Sequence, residues 1–159
     1  MISKMRRAWD GPVLVKGILH PEDAVLAQKA GVDGIVLSNH GGRGMDCSVA
    51  PIQVLEQVLD RTSGKMPVLL DSGVRRGTHI AKALALGARA VMVGRAPVYG
   101  VAAGGKEGAL RALSLLKSEF DRTMTQLGCP SVAELSSDLI FRPGRREVEG
   151  AGFKWSGAA

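Results

Sequence analysis

The sequence has 159 residues and a net charge of +6, with 45% hydrophobic but only 4% aromatic residues. That length supports one domain with its own core, no apolar run is long enough to span a membrane, and the charged opening MISKMRRAW lacks the apolar stretch of a signal peptide. The basic excess lies at the two ends, since positions 11 to 141 hold 14 Lys+Arg against 12 Asp+Glu, which removes the basic stripe that nucleic-acid binding needs.

In chain order, the run PVLVKGI at 12–18 is short, apolar and β-branched, and predicts a strand. In the segment that follows, Pro21 suits a first helical position, Glu22 and Asp23 suit the positive start of a helix, and Gly31 suits its exit. His20, just before Pro21, is expected to help start that helix. GIVLSN at 34–39 predicts a second strand, a Gly-rich loop follows, and Pro51 opens a helix over 51–62. A third strand is predicted at 66–73, a helix at 78–87, a fourth strand at 89–94, and a longer helix over 107–127 that stops at Gly128. His79 lies on the helix at 78–87 and is expected at the surface. Cys47 and Cys129 are far apart and match no metal-ligand spacing. They are expected to be buried or half-buried free thiols in a reducing cytosol, with the methionines as core filler.

The chain also repeats itself. GPVLVKGI is echoed by MPVLLDSG, and AGVDGIVLSN by LGARAVMVGR, so a strand–helix–strand unit occurs twice. Four consecutive βα units with short loops imply a parallel sheet, either doubly wound or part of a barrel. Residues 1–141 thus form one domain. The aperiodic basic stretch over 142–159 is expected to be a disordered tail, with Trp9 and Trp155 packing near the ends.

Each predicted strand ends in polar or glycine residues: Lys16, then Ser38-Asn39-His40, then Asp71-Ser72-Gly73, then Gly94-Arg95. In parallel βα folds these ends share one face, the face that carries chemistry. Spacing therefore gathers Lys16, His40, Asp71 and Arg95 around one mouth. In the loop HGGRGMD, a neutral His40 can act as a base near neutral pH, and the planar fork of Arg43 suits a carboxylate or phosphate. The same loop is also readable as a glycine turn whose His and Arg bond loop carbonyls. The segment DSGVRRG at 71–77, with Gly94 and Arg95, offers backbone N–H groups and guanidinium groups suited to a phosphate.

The ordered set VKGI, LSNHGGRxxD, DSGVRRG and VGRxxxYG resembles the signature of the FMN-dependent 2-hydroxy-acid dehydrogenases and oxidases. That family includes glycolate oxidase, lactate dehydrogenase and oxidase, and mandelate dehydrogenase. The resemblance runs from about Trp9 to Leu135 and implies an α/β fold: the C-terminal half of a (β/α)8 TIM barrel, four parallel βα units plus a long C-terminal helix. It implies FMN as cofactor and oxidation of a 2-hydroxy acid to the 2-oxo acid. By position, it implies Lys16 and Ser38 at the flavin ring, His40 as the catalytic base, and Arg43 on the substrate carboxylate. It further implies Asp71 on the ribityl chain, with Gly73, Arg75, Gly94 and Arg95 around the FMN phosphate. Arg76 is left facing solvent. The chain departs from the family at Gly44-Met45, where Gln-Leu is usual, which loosens the loop carrying Arg43.

The resemblance also implies that the family's first four βα units, with their substrate-contacting tyrosines and the aspartate that orients the histidine, precede the point where this sequence starts. A half barrel leaves two sheet edges unpaired, which predicts self-association, a loosely packed monomer, or completion by a separate N-terminal half. Phosphate binding is expected to survive better than turnover. The alternative is a non-catalytic FMN- or phosphate-binding fragment, or a half that complements another chain. A different FMN or nucleotide barrel, of the isopentenyl-diphosphate isomerase or inosine-phosphate dehydrogenase type, is disfavoured because it has no need of a carboxylate clamp beside a base. The expected location is the cytoplasm or the periphery of the inner membrane.

Overall fold

In the computed structural model, which describes residues 1–142, four parallel strands lie side by side in chain order: β1 (Leu14–Ile18), β2 (Gly34–Leu37), β3 (Val68–Leu70) and β4 (Ala90–Val91). The helices between them are α2 (Pro21–Lys29), α3 (Pro51–Arg61) and α4 (Gly77–Ala85), with α1 (Ile2–Ala8) before the sheet and α5 (Arg95–Leu127) after it. Leu14 pairs with Gly34, Ile35 with Val68, and Leu69 with Ala90. Every connection is a βα crossover, so all strands point the same way and their C-terminal ends form one rim.

The core sits between sheet and helices. Ile35, Leu37, Val68 and Leu70 meet Ala24 and Ala27 of α2, Leu55 and Val58 of α3, and Ala83 of α4. All four residues of β2 are buried, as expected of a central parallel strand covered on both faces. Among the described residues, the flanking strands β1 and β4 have one neighbour each. Leu14 on β1 is 49% exposed.

Local chemistry explains the helix starts. The His20 side chain accepts from the Glu22 N–H at 3.2 Å, and Pro21 takes the first helical position. In α3, the Gln53 side chain accepts the Ala50 N–H at 3.3 Å, just ahead of Pro51. Both devices satisfy N–H groups that a helix start leaves unpaired.

Several expectations are corrected. The last helix starts at Arg95 rather than 107 and is broken at Gly104 and Gly105, whose backbone angles are non-helical. Pro97 is compatible with this start because it falls in the first turn, where an N–H has no intrahelical partner. Across the break the two segments pack backbone to backbone: a Cβ on Gly108 would lie 1.9 Å from the Gly100 carbonyl oxygen. The opening residues form α1, held by Arg6, which donates to the carbonyls of Gly31 and Gly11 at 2.9 Å each and pairs with Asp33 at 2.5 Å. These partners precede β1 and β2, at the end of the sheet opposite the rim. Cys47 is exposed and Cys129 buried, both free. Met66 and Met124 are buried, but Met1, Met5, Met45 and Met92 are exposed, so only the first two serve as core filler. Trp9 is exposed, with its indole donating to the Pro12 carbonyl. Arg142 reaches back to Glu56 of α3 at 2.6 Å. The remainder of the expected tail, with Trp155, lies outside the described residues. No described helix is long and apolar enough to cross a membrane.

Candidate functional site at the strand ends

The rim encloses an open cavity of about 590 Å³, within the range of small-molecule and cofactor sites. Lys16, His40, Arg43, Asp71, Gly73, Arg75, Gly94 and Arg95 all line it. Ser38, the ninth residue expected there, is buried beneath the floor at 1% exposure. Its hydroxyl nonetheless accepts from Lys16 Nζ at 2.8 Å and from the His40 N–H at 3.0 Å. The sheet has therefore brought together residues from four strand ends that are up to 79 positions apart, from Lys16 to Arg95.

The floor is a polar network. Lys16 pairs with Asp71 at 2.9 Å, and Ser72 donates to Asp71 Oδ1 at 2.8 Å. Burial pushes the Asp71 carboxyl toward the neutral form. Hydrogen bonds from Ser38, Lys16 and Ser72, together with the Lys16 charge, outweigh it, so the pKa ends below the usual aspartate value. An ionised carboxylate and an ammonium thus sit side by side at the centre of the rim.

His40 sits on a sharp turn. Its own φ is 54°, a left-handed conformation unusual for a side-chain-bearing residue, and Gly41 and Gly42 continue the turn with φ of 72° and 78°. The Asn39 side chain accepts the Gly41 N–H at 3.0 Å, a local bond that Asn and Asp make readily in turns. The imidazole leans on β1 where its pairing register shifts, between Lys16 and Ile18. The residue between them is Gly17, with φ 101°, and a Cβ there would lie 2.9 Å from His40 Nε2. Only a glycine leaves room for the ring.

The other side of the cavity is cationic. Arg43, Arg75 and Arg95 are exposed, and among the described residues none of them forms an ion pair. Arg95 opens α5 directly after Gly94, and its guanidinium approaches Gly41, where an added Cβ would meet Nη2 at 3.0 Å. The Arg75 N–H donates to His79 Nδ1 at 3.3 Å. Arg76 turns away to Glu119 of α5 at 2.9 Å, and that carboxylate also accepts the Gly77 N–H at 2.9 Å. The two bonds, the backbone N–H first, hold the Glu119 pKa below its usual value.

This donor set suits the group implied by the sequence motifs. A flavin mononucleotide needs cationic and backbone donors for its phosphate, polar groups for its ribityl chain and a positive charge beside its ring. Arg75, Arg95, Gly73 and Gly94 could supply the first, Asp71 the second, and Lys16 the third, since all line the one cavity. The strand-end pattern gave no role to Gly17, Glu119, Met92 or Tyr99, of which Met92 and Tyr99 line the cavity, and named Ser72 only as part of a strand end. A glycine inside a strand pattern marks a bulge or a close approach, so Gly17 carried a signal in the VKGI run. Glu119 lies 43 residues from Arg76 and has no local signature.

A model of FMN-dependent dehydrogenases matches residues 1–142. The chain is 53% identical over 139 residues to a peroxisomal (S)-2-hydroxyacid oxidase of Arabidopsis thaliana, covering 87% of this chain and 38% of the oxidase. It is 51% identical over 140 residues to the (S)-mandelate dehydrogenase of Pseudomonas putida, covering 88% of this chain and 35% of that one. A solved structure of an (S)-mandelate dehydrogenase mutant superposes with a TM-score of 0.83 at 50% identity, over 87% of this chain and 38% of that one. The chain thus spans well under half the length of these relatives. The superposition shows its four-stranded sheet to be part of a flavoenzyme barrel.

Proposed function

Since the chain belongs to the FMN-dependent dehydrogenase family, we propose that its rim is the FMN-binding and catalytic half of an enzyme that oxidises a small 2-hydroxy acid to the 2-oxo acid. In this reading Arg75 and Arg95, with the backbone of Gly73 and Gly94, hold the phosphate of FMN, and Asp71 accepts from its ribityl hydroxyls. Lys16, paired with Asp71 and donating to Ser38 beneath it, would stand beside the flavin ring, with Ser38 holding it there and contacting the ring. Bound there, FMN supplies the two-electron acceptor for the reaction. Arg43 grips the substrate carboxylate with its planar fork, which points the substrate's hydroxyl-bearing carbon at the cofactor. His40 takes a proton from the substrate. The turn through His40, Gly41 and Gly42 sets the base and the clamp only three positions apart on one loop.

The observation that carries this reading is the convergence of Lys16, His40, Arg43, Asp71, Arg75 and Arg95 on one cavity. The cavity is open, and His40 is exposed. Water competes at such a base, and an unoriented imidazole forfeits much of the gain from positioning. We therefore expect weak FMN binding and little turnover of lactate, glycolate or mandelate by this chain alone. A fluorescence titration with FMN tests the binding. Arg95→Ala should weaken it by about tenfold or more, the loss of one charge-assisted contact, while Arg76→Ala, whose side chain points to Glu119, should leave it nearly unchanged. Equal effects from both would remove the phosphate assignment.

The second reading, a non-catalytic FMN- or phosphate-binding piece or a half that completes another chain, is favoured by one observation. The phosphate corner is assembled from α4, α5 and the ends of β3 and β4, whereas among the described residues no carboxylate bonds the His40 ring. Adding the N-terminal half of a related barrel discriminates: restored oxidation supports the enzyme, unchanged FMN binding without oxidation supports the binding piece. The proposed location is the cytoplasm or the periphery of the inner membrane.

A further inference from the structure

Three side-chain-bearing residues among those described have positive φ: His40, Ser63 and Ser72. Ser63 is in a turn after α3. The other two line the cavity and are coupled through the loop that follows β2. Ser72, with φ 71°, occupies a conformation that glycine adopts without strain. What the position gains from a serine is a hydroxyl. That hydroxyl donates to Asp71 Oδ1 at 2.8 Å, which leaves its lone pairs for the Gly41 N–H at 3.1 Å. Ser38 Oγ lies 3.4 Å away and accepts the His40 N–H at 3.0 Å. Successive N–H groups of the loop, at His40 and Gly41, are thereby anchored to the ends of β2 and β3.

We propose that Ser72 is a positioning residue: its hydroxyl ties the strand end that carries Asp71 to the loop that carries His40 and Arg43, so that cofactor side and substrate side keep one spacing. The tie itself rests on hydrogen bonds in the structure; its use in catalysis rests on the function proposed above. Asn39 also accepts the Gly41 N–H, at 3.0 Å, so removing the Ser72 hydroxyl loosens the turn without abolishing it.

Two substitutions in the full chain separate the hydroxyl from the backbone. Ser72→Gly removes the hydroxyl and relieves the strain, whereas Ser72→Ala removes the hydroxyl and keeps the strain. The readouts are hydrogen exchange at the Gly41 amide, referred to the Ile35 amide of the sheet, and the NMR signal of the His40 ring. Both variants should exchange at Gly41 about five- to tenfold faster than the parent, as expected for one lost net hydrogen bond, with a shifted or broadened His40 ring signal. Ser72→Gly should meanwhile unfold at the same or a higher urea concentration. If Ser72→Gly leaves Gly41 exchange and the His40 signal at parent values, the residue is only a backbone filler and the proposal is overturned. Should Ser72→Ala not fold, Ser72→Gly alone decides the matter. A parallel FMN titration of the parent chain keeps the two ideas apart, because absent FMN binding would sink the functional reading while leaving the exchange result to stand.

Discussion

At Gly17 a single hydrogen in place of a side chain decides where the proposed base can sit. Its φ of 101° and the 2.9 Å approach of a notional Cβ to His40 Nε2 act together. Gly17→Ala should cost about 1–2 kcal/mol in urea unfolding and displace the imidazole, seen as a shifted His40 ring resonance; an unmoved resonance would contradict the contact. Titration is the other lever at this scale. Asp71 and Glu119 have carboxyl pKa values below their ordinary ones, and so does Asp33, held chiefly by the Val13 N–H and also by Arg6. A depressed folded pKa means that the unfolded chain binds more protons. The stability is therefore complete above the unfolded value of about 4 and is lost as pH falls through the lower folded values. Unfolding midpoints measured against pH should be flat near neutrality and drop steeply below about pH 4; a flat profile down to pH 2 would contradict the sign. The strand-end residues were legible in the sequence because a polar residue closing an apolar run is a local signal. The roles of Gly17 and Ser72 were not, because each depends on a partner more than 20 positions away that only the sheet brings close.

Among the elements, α5 shows where local patterns fail. The helical periodicity of 107–127 was readable, but the preceding segment holds Pro97, Gly100, Gly104 and Gly105, which read as loop. It is helical because Gly100 and Gly108 let two backbones touch, a tertiary contact that overrides weak propensity. The same segment begins at Arg95, which lines the cavity with Gly94. Gly108→Ala would force a Cβ to within 1.9 Å of the Gly100 carbonyl oxygen. The expected outcome is a loss of about 1–3 kcal/mol together with weaker FMN binding, since the segment carrying Arg95 must tilt. Stability and affinity falling together would support the coupling; an unchanged FMN titration would detach α5 packing from the phosphate corner. The short helices were legible from different signals: Pro21 with Glu22 and Asp23 opens α2, Pro51 opens α3, and Gly87 follows α4, and their boundaries agree with the structure to within a few residues.

For the molecule as a whole, the governing fact is a parallel sheet with two open sides. Among the described residues β1 and β4 each present one unpaired edge, and large apolar side chains stand in solvent: Leu14 at 49% at the start of β1, and Val98 at 61% and Tyr99 at 67% in α5. Edges and patches of this kind recruit partners. In gel filtration the chain should elute as a dimer or larger species, with the apparent size rising with concentration; a concentration-independent monomer would argue that the edges are protected. The parallel order and the half-barrel architecture could be read from the repeated strand–helix–strand unit and the four motifs. The first helix could not, because MISKMRRAW gives little beyond charge, and its place is set by Arg6 reaching residues around Gly31 and Asp33. That placement has a practical sequel. The Arg6–Asp33 clamp grips the sheet at the pole opposite the rim, so the atoms that hold α1 in place are remote from those that line the cavity. Strengthening α1 at one pole would harden the protein and leave the cavity residues at the other pole unmoved.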